Sequence, residues 1–199
     1  IFWGITMPQL RIVARTFLQA SFADLKELIH SPVHEQRMTG LLILVYQFKR
    51  SGKDAETRRR IFDFYLSQTS RINNWDLVDV TCHDIVGGYL LAKTDRAILY
   101  KLAKSSLVWD KRIAMISCFE FIRHGDCRDA IAIGKLLVED KHDLIRKAVG
   151  WMLREVFKKD PEATRAFLRE YIRVLSRVTL RYAIEKMEPG EQQFFLSLK

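Results

Sequence analysis

The 199-residue sequence predicts an all-α solenoid, a curved right-handed superhelix of antiparallel helix pairs, on three observations. A hairpin plan recurs about every 35 residues, helix-forming runs carry apolar stripes at helical spacing, and strand-like alternation is absent. The length and the 48% hydrophobic content suit one domain over residues 1–199. The four prolines, Pro8, Pro32, Pro161 and Pro189, fall where elements should begin or end. Asp54, Asp95 and Asp160 precede runs rich in Leu, Ala, Arg and Glu, as residues at or near N-caps do.

The repeat is visible in four segments. Leu25–Leu44 gives a short helix, a turn, and then Arg37 opening a long apolar helix. Leu99–Cys118 repeats this with Arg112, Leu136–Glu155 with Lys147, and Leu168–Met187 with Arg181. The interval from Arg37 to Arg112 is about twice the others, so a further repeat belongs between them, and RINNWDLVDVTCHDIVGGYLL (Arg71–Leu91) supplies it with Asp76 at the basic position. A hairpin buries only one side alone, so hairpins stack and equivalent helices line one concave face. Arg37, Arg112, Lys147 and Arg181 then form a basic row suited to tracking a phosphate backbone. They can also be ordinary solvated first-turn residues, although a cation is poorly placed beside a helix N-terminus.

Charge points the same way. Lys plus Arg number 33 against 24 Asp plus Glu, a formal +9, which favours a polyanionic partner through counterion release. No uncharged apolar run approaches the roughly 18–20 residues a membrane span needs, and the opening IFWGITMPQLR lacks a secretory signal, so a cytoplasmic protein is expected. Cys82, Cys118 and Cys127 include no CxxC pair and are expected to be buried thiols rather than disulfides or metal ligands.

Helical phase singles out a few residues. In LIRKAVGWMLREVF, Leu144, Ile145, Ala148, Val149, Met152, Leu153 and Val156 form one apolar stripe, and Trp151 lies at its edge beside Lys147 and Arg154. Such a Trp either stacks on a nucleotide or caps the core. In NNWDLVDVTCHDIVGGY, helical phase makes Val78, Cys82, Ile85 and Tyr89 the buried stripe, leaving Trp75 and Asp79, spaced i to i+4, on a neighbouring face. A lone carboxylate in a basic groove repels DNA. It therefore either stabilises a positive charge in a transition state or forms an intramolecular salt bridge.

Through FWGITMPQLR, RINNWDLVDVTCHDIVGGYLL, VWDKRIAMIS and DKHDLIRKAVGWMLREV, the chain resembles the DNA alkylation repair family of HEAT-like alkylpurine glycosylases over essentially its whole length. The resemblance implies a single HEAT-like repeat domain and a monofunctional DNA glycosylase that hydrolyses the N-glycosidic bond of cationic purines, 3-methyladenine and 7-methylguanine. It implies Asp79, Trp75, Arg112 and Trp151 as the catalytic set; the repeat position and helical phase add Arg37, Lys147, Arg154 and Arg181, with Arg112, as the expected DNA contacts. It further implies an open groove with the lesion left stacked, and neither metal nor cofactor. The expected partner is double-stranded DNA containing alkylated bases, met by a monomer with no obligate protein partner and no membrane, cytoplasmic and nucleoid-associated through the DNA. Family members carry further helices before the FWGI block, including a groove tyrosine, so this chain is expected to lack the family's N-terminal helices. The alternative is a catalytically silent HEAT-like module binding structured DNA or RNA. A protein-binding scaffold would call for an apolar concave surface instead.

Overall fold

The structure is a computed structural model describing all 199 residues. It contains helices and turns and no strand. In chain order these are α1 (Met7–Thr16), α2 (Phe22–His30), α3 (His34–Arg50), α4 (Ala55–Ser67), α5 (Trp75–Asp79), a π-helical turn (His83–Gly87), α6 (Gly88–Leu90), α7 (Ala97–Ala103), α8 (Val108–Arg123), α9 (Arg128–Leu137), α10 (Asp143–Phe157), α11 (Pro161–Tyr171), α12 (Arg177–Ile184) and α13 (Pro189–Ser197). The chain divides into two compact units, Ile1–Ala92 and Lys93–Lys199.

Local chemistry sets the boundaries. Ser21 and Asp24 form a capping box at α2, and Asp54 accepts from the backbone N–H groups of Glu56 and Thr57 at α4. Asp160 and Ser176 cap α11 and α12. Pro8, Pro161 and Pro189 occupy the first turns of α1, α11 and α13, where the missing N–H has no intrahelical acceptor to lose.

In the first unit α1 and α2 both pack on α3, whose Leu41, Leu42 and Leu44 are wholly buried. Gly40 allows the close approach of α2, because a Cβ there would lie 2.9 Å from Leu28 Cβ. The segment before α1 is tied down by main-chain and carboxylate contacts. His34 N–H donates to the Ile1 carbonyl at 2.9 Å, and the N–H groups of Trp3 and Gly4 both donate to Glu35 Oε1 at 2.8 Å. Glu35 is buried, and its Oε2 has no hydrogen-bond partner.

In the second unit the consecutive helices α7–α8 and α9–α10 pack on each other, and α11 packs on α9 and α10. The helix α9 packs against α7 and α11, while α10 packs against α8 and α12, so first and second helices form separate layers. Buried hydroxyls fasten neighbouring helices: Thr164 Oγ1 of α11 donates to the Leu153 carbonyl of α10 across the layers, and Thr179 Oγ1 of α12 to the Arg146 carbonyl of α10 within one layer, both at 3.1 Å. The contact of α10 with α12 is close enough that a Cβ on Gly150 would sit 2.6 Å from the Thr179 carbonyl oxygen and 2.6 Å from Tyr182 Cβ.

The segment Arg71–Leu91 departs from one uniform helix. It breaks after Asp79 into a turn, the π-helical turn and the three-residue α6. The expected stripe survives in part: Val78, Cys82 and Ile85 are fully buried, whereas Tyr89 is half-buried and stacks on Phe62 with centroids 4.3 Å apart.

Two outcomes follow from this packing. Gly150→Ala should lower stability by at least about 1–3 kcal/mol in denaturant unfolding, because a backbone oxygen opposes the new methyl group; an unchanged midpoint would mean that α12 can move away without cost. The second concerns Glu35, whose carboxyl burial pushes up, while the N–H groups of Trp3, Glu35, Gly4 and Ile5 together hold it below its ordinary value of 4.5. A depressed carboxyl stabilises fully above its unfolded value and ceases to do so as pH falls through its folded value. The Trp3 and Gly4 amide resonances should therefore shift with a midpoint below pH 4.5, and Glu35→Gln should abolish that titration. A midpoint at or above that value would contradict the docking described.

Candidate functional site

In the first unit the segment NNWDLVD places Trp75 and Asp79 at the two ends of α5. Asn74 caps this short helix, its side-chain oxygen accepting from Trp75 N–H at 2.8 Å. Asp76 holds the first turn by accepting from Leu77 N–H at 2.8 Å through Oδ1. Trp75 is 53% exposed, and Asp79 is partly buried on the same helix.

The exception at the basic repeat position has a structural partner. Asp76 Oδ2 lies 2.7 Å from His34 Nε2, and His34 is buried beneath Phe2, whose ring stacks on it with centroids 4.7 Å apart. Arg37 Nη2 lies 3.5 Å from His34 Nδ1. A guanidinium only donates, so Nδ1 accepts and Nε2 carries the proton that goes to Asp76. Arg37 also donates to Asn73 Oδ1. Burial works to lower the Arg37 guanidinium below its ordinary value; Asp76 opposes that shift and Arg71 adds to it. Arg37, His34 and Asp76 thus link the start of α3 to the start of α5.

Behind α5, the buried Tyr65 hydroxyl of α4 meets Thr81 Oγ1 at 2.8 Å, and Thr81 Oγ1 donates to the Leu77 carbonyl at 2.5 Å. Burial pushes the Tyr65 phenol well above its ordinary value, and the charges of Cys82 and Asp79 act in the same direction. The hydroxyl is therefore a fixed neutral support for the turn that follows Asp79.

In the second unit Lys147, Trp151 and Arg154 occupy one side of α10 at i, i+4 and i+7. Trp151 is half-buried. Its ring packs against Phe119 of α8 with centroids 6.0 Å apart, and its Nε1–H donates to Glu155 Oε1 at 3.3 Å. Arg154 is paired with Glu185 and with Glu155, the latter at 3.4 Å. Lys147 pairs with Asp143 at 2.7 Å. Arg112 of α8 is only 5% exposed and donates to the Leu144 carbonyl of α10. Arg181 of α12 is exposed and forms no ion pair.

The basic row does not occupy first turns. Arg37 is the fourth residue of α3, and Arg112, Lys147 and Arg181 are the fifth of α8, α10 and α12. The positive end of a helix fades beyond its first turn, and Glu35, Asp110 and Asp143 occupy that turn in the first three helices. The expected electrostatic conflict is therefore absent. Sequence reasoning missed His34, Glu35, Tyr65, Thr81 and Glu155. The partners of His34, Glu35, Tyr65 and Thr81 lie far away in the sequence, where helical phase does not reach; Glu155 meets Trp151 at i to i+4 and could have been found from phase, and the anomalous Asp76 in the repeat did mark the place where His34 would be found.

The three cysteines are buried and form no disulfide, no group of His, Cys, Asp and Glu is arranged to hold a metal ion, and no helix is long and apolar enough to cross a membrane.

Comparison with known proteins agrees with this architecture. The family model described as DNA alkylation repair enzyme matches residues 1–187. No curated protein matches the chain. Among solved structures, a protein of Enterococcus faecalis described as a predicted DNA alkylation repair enzyme is 16% identical, with a TM-score of 0.73 over 95% of this chain and 89% of that one. AlkD2 from Streptococcus mutans is 20% identical, with a TM-score of 0.68 over 93% and 92% of the two chains. The protein smu.31 from Streptococcus mutans UA159 is also 20% identical, with a TM-score of 0.60 over 96% and 90%. At these identities the likeness is one of fold: the all-helical HEAT-like repeat architecture.

Proposed function

The chain belongs to the DNA alkylation repair enzyme family, and we propose that it is a monofunctional DNA glycosylase removing cationic alkylated purines, such as 3-methyladenine and 7-methylguanine, from duplex DNA. The observation that carries this reading is α5, a five-residue helix holding a half-exposed Trp75 one turn from the carboxylate of Asp79. A protein that only tracked backbone phosphates would gain nothing from that carboxylate.

An N3- or N7-alkylated purine carries a positive charge, so when the bond between C1′ and the base nitrogen breaks, the base takes the electron pair and leaves neutral. Positive charge then develops on C1′ and the ring oxygen. Asp79 is assigned to oppose that charge and to orient a water whose oxygen bonds to C1′, the water's proton passing to solvent through the carboxylate. Trp75 is assigned to pack against the sugar, where a π face favours a growing cation. In the second unit Trp151, braced by Phe119 and Glu155, is assigned a flat surface against the DNA backbone, while Arg112, buried and donating to the Leu144 carbonyl, holds α8 against α10 rather than a phosphate. Arg37, Lys147, Arg154 and Arg181 supply further backbone charge. No metal or cofactor enters these steps, and the DNA is the only partner they require.

Asp79→Asn tests the chemistry. Release of free 7-methylguanine from duplex DNA should fall by roughly ten- to a thousandfold while duplex affinity holds or tightens, since the change removes a negative charge and preserves size. Release at the parent rate would exclude Asp79 from the reaction. Duplex binding by the parent chain with no release of any alkylated base would leave a catalytically silent module. Arg181→Ala tests the binding surface: the slope of log affinity against log salt should fall in magnitude by about one. An unchanged slope would remove Arg181 from the DNA contacts.

A further inference from the structure

Away from α5, the first unit contains a second candidate site. The turn between α1 and α2, the end of α3 and the first two turns of α4 enclose an open cleft of about 670 Å³. Leu18, Ala20, Phe22 and Ile61 give it an apolar wall, and Gln47, Ser51, Thr57, Arg50 and Arg60 a polar one. Its volume is in the range of small-ligand sites.

The charged residues nearby fall into two groups. Lys49 pairs with Asp84 at 2.8 Å, and Arg59 with Asp63 at 3.6 Å. Arg58 donates to the Gly52 and Gly88 carbonyls at 3.3 and 2.8 Å and lies 4.0 Å over the Phe48 ring, so it is committed to the fold. Arg50 and Arg60 form no ion pair and both line the cleft; Arg60 rests 5.5 Å over the Phe22 ring. That ring is itself fixed by stacking on Phe64, with centroids 4.7 Å apart.

The one carboxylate in the lining, Asp54, is occupied. It accepts from Glu56 N–H and Thr57 N–H at 3.1 Å and from Thr57 Oγ1 at 2.6 Å, so its charge serves the N-terminus of α4. Gln47 is similarly committed, donating its amide protons to the Leu18 and Ala20 carbonyls at 3.2 and 2.8 Å and so holding the far wall in place.

We propose that this cleft is a phosphate-binding site, in which Arg50 and Arg60 hold the phosphate of a nucleotide or of a nucleic-acid backbone. Guanidinium groups suit phosphate because their planar forks present paired donors to its oxygens. The site is separate from the one on α5 and does not depend on the reaction assigned there. Arg50 follows Arg37 along α3 by 13 residues, about 20 Å at 1.5 Å per residue, so one phosphate cannot serve both.

The test uses the full chain and the double variant Arg50→Ala/Arg60→Ala, with titration calorimetry against inorganic phosphate, deoxyadenosine monophosphate and a short undamaged duplex. Both side chains are exposed, so unfolding temperature and circular dichroism should match the parent; Arg50→Lys/Arg60→Lys, which keeps the charge and loses the forks, covers the case where they do not. In the Ala variant small-phosphate affinity should fall by roughly tenfold or more. If duplex affinity falls too and its salt slope drops by about two, the occupant is backbone phosphate. If duplex binding is unchanged while both small phosphates lose affinity, the site serves a free phosphate monoester. Equal binding of phosphate, nucleotide and duplex by parent and Ala variant, or no small-phosphate binding by the parent with unchanged duplex affinity in the variant, would overturn the proposal.

Discussion

Stacking against a neighbour is the constraint from which the rest of this structure follows. A helical hairpin has one apolar side that it cannot cover itself, so each pair must meet the next at interhelical distance. That demand is sharpest where α10 meets α12: the Thr179 carbonyl and Tyr182 Cβ occupy the space a side chain at residue 150 would need. Gly150 loses conformational entropy and helix propensity, which would disfavour it in a free helix. Its position immediately before Trp151 means that the backbone carrying the Trp is fixed by packing that already satisfies the core. The ring then needs only Phe119 and Glu155 to set its orientation.

Packing also decides which cations are bound into the fold and which face solvent. Arg112 sits where α8 meets α10 and is almost fully removed from water, a placement that requires hydrogen-bond compensation such as the Leu144 carbonyl provides. Lys147 and Arg154 lie farther out and meet carboxylates within the unit. Arg181 meets none. Equivalent repeat positions therefore range from buried to solvated, and a uniform basic row in sequence becomes a graded one in space. The net +9 charge is a property of composition; its distribution is decided by packing.

Most of the helical architecture was legible because hairpin stacking imposes periodicity, and periodicity is what a single sequence displays. The stripe of α10 was recovered in all but Leu144, which is half-buried, and Trp75 and Asp79 keep their i to i+4 relation on α5. Tertiary partners were not legible. Glu35 looks like an ordinary first-turn acid, and nothing local announces that its carboxylate is buried beneath the N–H groups of Trp3 and Gly4. The burial of Arg112 was hidden for a related reason, since the sequence pattern of a phosphate-facing Arg and of one turned into a helix interface is the same.

The irregularities are concentrated in one segment. Arg71–Leu91 is where the repeat loses its basic residue, where the helix breaks after a single turn, and where hydrogen bonding passes through a π-helical turn. Each of these departs from local preference, and sequences keep such departures where surrounding structure over-determines them. Here the surroundings do so from two sides: His34 holds Asp76 at the start of α5, and Tyr65, through Thr81, holds the turn after Asp79. A continuous helix would have satisfied its own backbone without either partner, and it would have continued through Val80 along the same axis. Ending α5 at Asp79 instead fixes a carboxylate and a half-exposed indole within one turn, on a helix too short to be stable alone and therefore positioned entirely by its neighbours.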